Sequence, residues 1–207
     1  SACTLSGQGA ILWEAFNDYR PTEGITSPYA TGYDLRITGD GGGLKDIATG
    51  QELNVSLEVL VLEADLDEFI IYSDVQTDSP ADKLFKGKVD IRNNGLPVIR
   101  GPLGQSRVLN VLVLSFRRLD PGKRYNFRGT VSGVGDNKGR WTVFTITGAE
   151  AFMAAHENGS KNTNIFTRAT FPSSWLYENQ VALNTADNKA GSLVGWEVVT
   201  ALHKKSG

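Results

Sequence analysis

Acid–base chemistry would draw first on Glu63, Asp65 and Glu68, three carboxylates inside the run Glu63-Ala64-Asp65-Leu66-Asp67-Glu68. Two carboxyl groups about 5 Å apart across a sugar bond can supply a nucleophile and a proton donor, and alternate positions on a strand with one bulged residue reach that spacing. The same run also reads as a solvated loop, which the poor strand propensity of residues 65–69 favours. Nucleophilic catalysis has little to work with, because the chain holds 1 Cys and 2 His. Cys3 belongs to an N-terminus expected to fray, and His203 lies near the C-terminus, which leaves His156 in the body of the chain. Neither a Gly-x-Ser-x-Gly elbow nor a phosphate loop of the form Gly-x-x-x-x-Gly-Lys-Ser/Thr is present.

Oxygen donors suited to calcium gather at Asn184, Asp187 and Asn188, and again at Asp136 and Asn137. Calcium takes carboxylate, amide and carbonyl oxygens from separate loops, so a structural Ca2+ site is one expectation and simple turn capping the other. Aromatic residues offer recognition instead of reaction. Trp13, Trp141 and Trp196 fall inside expected strands, where core packing is the ordinary role. Trp175 and Tyr177 stand two apart in the loop-like stretch Pro172-Ser173-Ser174-Trp175-Leu176-Tyr177. They could form a platform for a sugar ring or anchor the loop. Trp141 follows Arg140 and the glycine-rich turn holding Asn137; facing outward, it would add a second stacking surface with Arg140 and Asn137 as polar partners.

The elements that must position these residues are strands. Apolar residues recur at period two, most clearly over residues 53–61, where Leu53, Val55, Leu57, Val59 and Val61 alternate with Asn54, Ser56 and Glu58. Residues 108–116 are apolar on both faces and predict a mid-sheet strand. Asp120-Pro121-Gly122 predicts a turn into a strand carrying Tyr125 and Phe127, and a hairpin from there to residues 140–146 follows. Further strands are expected at 11–15, 33–38, 88–92, 165–171, 180–184 and 193–200. Asp40-Gly41-Gly42-Gly43, Asn93-Asn94-Gly95 and Asn158-Gly159-Ser160 read as turns. Short helical turns are expected at 80–85 and 150–156, and residues 17–33 form the least regular stretch. The expected fold is all-β: an antiparallel β-sandwich (jelly roll) of about ten strands in one domain spanning 1–207, with ends that look cut or engineered.

Composition narrows the function classes. With 21 Lys plus Arg against 23 Asp plus Glu, the net charge of −2 lacks the basic excess that phosphate-backbone binding uses, so nucleic acid is not an expected partner. No apolar run approaches the ~20 residues of a membrane-spanning helix. One cysteine allows no internal disulfide, and 23 glycines suit a chain rich in turns.

Leu119-Asp120-Pro121 through Tyr125-Asn126-Phe127, followed by Arg140-Trp141-Thr142-Val143-Phe144-Thr145-Ile146-Thr147-Gly148-Ala149, resembles β-sandwich modules of bacterial extracellular proteins. In those modules an L-x-P-x-x-x-Y-x-F hairpin sets a Tyr against the sheet, and a partner strand ends in a T-x-x-G-A turn. The stretch from Ala182 to Trp196 is similar to their closing strands. The resemblance covers roughly residues 85–199. Such modules are similar to galactose-binding-like jelly rolls and fibronectin-like sandwiches appended to secreted polysaccharide-degrading enzymes or phosphoesterases, and the resemblance implies a secreted, non-catalytic carbohydrate-binding module whose partner is polysaccharide or oligosaccharide. Glu63, Asp65 and Glu68 also match the bulged form of the pattern in retaining jelly-roll glucanases, which would make them nucleophile, helper and acid/base of a glycoside hydrolase. A structural or adhesion domain of a cell-surface protein is the third expectation.

Overall fold

A computed structural model describes residues 2–7, 13–19, 27–34, 37–62, 66–71, 75–89, 96–99, 111–131, 141–156, 164–170, 175–184 and 188–201. Asp187, Arg140, Asn137, Asp136, Glu63, Asp65 and the turns at 93–95 and 158–160 lie outside them.

The protein is all-β. In chain order the strands are β1 (Ala2–Gly7), β2 (Glu14–Tyr19), β3 (Thr31–Tyr33), β4 (Gly41–Lys45), β5 (Glu52–Leu62), β6 (Leu66–Ile71) and β7 (Leu96–Ile99). They continue with β8 (Val111–Arg117), β9 (Arg124–Thr130), β10 (Trp141–Thr145), β11 (Ala149–Ala154), β12 (Ile165–Thr167), β13 (Gln180–Asn184) and β14 (Val194–Thr200). A helix α1 (Pro80–Phe85) and a 3-10 turn (Asn188–Ala190) complete the described elements. The strands form a six-stranded sheet ordered β11-β14-β9-β1-β2-β3, three-stranded sheets β10-β13-β12 and β4-β5-β8, and the pair β6-β7. All pairings are antiparallel except β2 with β3, which run parallel.

The alternation expected of β5 holds: Val55, Leu57 and Val59 are buried, and on the opposite face Glu58 accepts a 2.9 Å bond from Arg117 Nε of β8. Each such side chain, fully withdrawn from water, contributes about 1.5–3 kcal/mol. One buried cluster draws on three sheets, joining Ala15, Tyr33 and Trp196 of the six-stranded sheet to Leu57 and Val59 of β5 and Val181 and Leu183 of β13. A second cluster, Phe16, Val75, Ala81, Phe85 and Val89, takes the next residue of β2. Ala15 and Phe16 point to opposite faces, so β2 is buried on both. Helix α1 has the bounds the sequence predicts. Ser79 caps it, its Oγ accepting the Asp82 N–H at 3.2 Å, and Pro80 opens it, where a missing N–H costs nothing.

Several expectations are corrected. Ala2–Gly7 forms a strand: β1 is bonded to β2 on one side and β9 on the other. Residues 17–33, read as irregular, contribute the end of β2 and all of β3. The triglycine turn is strand β4, in which Gly41 has φ 128 and a Cβ there would collide with the Leu57 carbonyl oxygen. Leu66, Asp67 and Glu68 of the acidic run, read as loop, belong to β6, whose register with β7 shifts between Asp67 and Ile70. Strand β8 has one neighbour among the described residues, β5, and so is an edge strand there. The hairpin expected between 124–131 and 140–146 does not form, since β9 pairs with β1 and β14 whereas β10 pairs with β13. The strands expected at 33–38 and 165–171 are shorter: β3 ends at Tyr33, and β12 ends at Thr167, where a turn follows. Residues 149–154 are strand β11, although Ala, Glu and Met favour helix; pairing with β14 overrides that preference.

Tyr125 keeps its expected place against the sheet. It is buried, and its hydroxyl oxygen accepts the Asp120 N–H at 2.9 Å, tying the Asp-Pro-Gly turn to the start of β9. Burial pushes its phenol above the ordinary range.

Candidate functional site

The sheet β10-β13-β12 and the turn bonded to it carry the exposed aromatic residues singled out from sequence. Along β10, Trp141, Val143 and Thr145 face outward while Phe144 turns inward onto the core. Register places Val143 opposite Ala182 of β13, and Ala182 opposite Phe166 of β12. β10 and β12 flank β13, so their backbones stand about 9–10 Å apart. Trp141 nevertheless reaches Phe166, with ring centroids 4.7 Å apart and planes inclined by 24°. The methyl group of Ala182 is what the middle strand offers beneath that contact. Trp141 remains 38% exposed and Val143 49%.

At the other end of β10 lies the segment that carries Trp175 and Tyr177. Leu176 between them is buried, and its neighbours on either side are left in solvent, Trp175 at 81% and Tyr177 at 67% exposure. The anchoring role considered for the loop thus belongs to Leu176. Gln180 holds the turn closed: its N–H donates to the Tyr177 carbonyl, its Oε1 accepts the Tyr177 N–H at 3.0 Å, and its Nε2 donates to Thr145 Oγ1 at 3.2 Å. Asn179 adds two bonds to Ile146, one through its backbone carbonyl and one from Nδ2, both at 3.0 Å. An ion pair between Arg168 and Glu178 flanks the turn. These bonds attach the Trp175–Tyr177 turn to the sheet that bears Trp141.

The other sequence candidates are distributed elsewhere. Trp196 is buried in the core, as expected, and Trp13 packs on Tyr125 with centroids 5.9 Å apart. Asn184 ends β13 opposite Trp141, and its N–H donates to the Asn164 carbonyl. Asn188 is fully buried: its Nδ2 is directed at Thr130 Oγ1 and the carbonyls of Val131 and Ser192, and its Oδ1 accepts the Ser192 N–H at 2.8 Å. The amide thereby ties the 3-10 turn to the end of β9. Among the described residues no group of three or more His, Cys, Asp and Glu converges. Of the acidic run, Glu68 lies in β6 within its register shift. No described helix is long and apolar enough to cross a membrane.

Sequence reasoning passed over Phe166, Val143 and Gln180. Val143 stands two along from Trp141 on one strand face and Gln180 three along from Tyr177, so only Phe166 depends on the pairing register to reach its neighbour. It also passed over the surroundings of His156, whose Nδ1 accepts the Gly195 N–H at 2.9 Å.

No protein-family model matches the chain, and neither a curated protein nor a solved structure shows significant similarity to it.

Proposed function

We propose that this chain is a non-catalytic carbohydrate-binding module whose contact surface is the outer face of β10-β13-β12 with the adjoining Trp175–Tyr177 turn. One observation carries the reading: three large aromatic side chains, Trp141, Trp175 and Tyr177, stand exposed on one sheet and the turn bonded to it. Apolar surface held in water by a fastened turn is a cost that ligand contact recovers. Aromatic faces suit the C–H faces of sugar rings, and the hydroxyl and amide groups around them supply hydrogen bonds. Arg140 and Asn137, preceding Trp141, are the further polar partners in this reading. In a secreted protein the module holds an appended enzyme on polysaccharide, and it performs no covalent step.

Affinity electrophoresis against a panel of neutral and acidic polysaccharides tests this. Retardation on at least one polymer is expected, falling at least tenfold in apparent affinity for Trp141→Ala and again for Trp175→Ala. Migration unchanged by every polymer, or retardation that both variants retain, would refute the assignment. Reducing-sugar release that disappears in Glu63→Gln would establish the hydrolase in its place.

A further inference from the structure

The ladder between β11 and β14 ends in an unusual way. Ala154 is its last residue in register, opposite Trp196, and the Ala155 N–H still donates to the Gly195 carbonyl at 2.9 Å. The Gly195 N–H, which on a continuing antiparallel ladder would meet a strand carbonyl, donates instead to Nδ1 of His156. A ring nitrogen that accepts a bond carries no proton, so the imidazole is neutral and its hydrogen sits on Nε2. The ring stands edge-on against Trp196, centroids 4.9 Å apart at 88°.

The charged groups on the strands around it are those of β9, β14 and β11. Arg128 of β9 crosses Gly195 so closely that a Cβ there would lie 2.7 Å from its Cδ and 2.8 Å from Nη1. Its guanidinium is fixed by a 2.9 Å bond to the Phe127 carbonyl. Glu197 of β14 favours the charge of Arg128, and Glu150 lies toward the far end of β11 itself.

We propose that His156 is a latch operated by pH: neutral, it fastens the end of edge strand β11 to β14, and protonated it lets that end go. Protonation turns Nδ1 from acceptor into donor, facing the Gly195 donor, and sets a second cation beside Arg128. Burial and, after it, the charge of Arg128 push the imidazole down to about 4, so release belongs to acid conditions well below the ordinary histidine range. Among the described residues β11 is held on one side only, by its ladder with β14, and residues 150–154 are exposed, so its end is a place where the sheet can open.

Proton–nitrogen correlation spectra recorded from pH 7.5 to 3.5 test the latch. The amides of Ala155 and Gly195 are expected to move with the same midpoint as the His156 ring. Their hydrogen-exchange protection, corrected for intrinsic rates, is expected to fall about tenfold relative to β9, the scale of one lost hydrogen bond. His156→Asn, whose side-chain oxygen can accept the Gly195 bond without titrating, is expected to abolish both changes. A ring that titrates near 6.5, amides that stay still as it titrates, or the same transition in His156→Asn would each overturn the proposal.

Discussion

His156 couples a single ring to the stability of the chain. Its proton affinity is lower in the folded protein, about 4, than the ordinary 6.5 of an unfolded chain. Between those values the unfolded state binds more protons, so stability rises with pH. The contribution is complete above about pH 6.5 and is lost as pH falls toward 4. Asp46 acts in the same direction at lower pH. The 2.7 Å bond from Thr49 Oγ1, and behind it the N–H groups of Glu14 and Ala48, hold its carboxyl below the usual range. Urea unfolding at pH 7, 5.5 and 4.5 should show a steady loss of midpoint concentration in the wild type. In His156→Asn the slope over this window should flatten, and equal slopes in both proteins would show that the ring is not the titrating group.

At the level of elements, the candidate surface depends on how three short strands are registered. Trp141 and Phe166 meet across β13 because residue 182 is alanine, with Val143 and Phe166 on either side of it in one row. Ala182→Leu should fill that space, lift the indole from Phe166 and reduce polysaccharide retardation as far as Trp141→Ala does, with the far-ultraviolet spectrum unchanged. Retardation equal to wild type would show that the Trp141–Phe166 contact does not shape the surface. The same dependence on register explains what the sequence conveyed. Periodicity located β5, β13 and β14, because alternation is a local signal, and α1 stands where a short helical turn was expected. The exposure of Trp175 and Tyr177 was legible in part, from the loop character of their surroundings. β4 and β11 were not legible: three glycines suggest a turn and Ala-Glu-Ala-Phe-Met-Ala suggests a helix, and each is made a strand by a partner distant in sequence. Phe166, the aromatic neighbour of Trp141, was hidden for the same reason.

Across the whole molecule, the segments nearest the two ends of the described chain meet on either side of one strand. β9 lies between β1 and β14, with six paired positions to each. β1 in turn separates β9 from β2, whose two faces feed the two buried clusters. A break in β1 therefore divides the six-stranded sheet at its middle, separating Phe16 and the α1 cluster from the strands that carry Tyr125 and Trp196. Thr4 is the position at which this can be tested. It is buried, and it stands opposite both Phe16 and Arg128. Proline there removes a backbone donor from the ladder of an interior strand, a place from which proline is essentially excluded. Thr4→Pro should lower the thermal midpoint by well over 5 °C or abolish the cooperative transition, as read by near-ultraviolet circular dichroism. A transition like that of the wild type would mean that β1 is dispensable and that β2 and β9 are held together by other contacts.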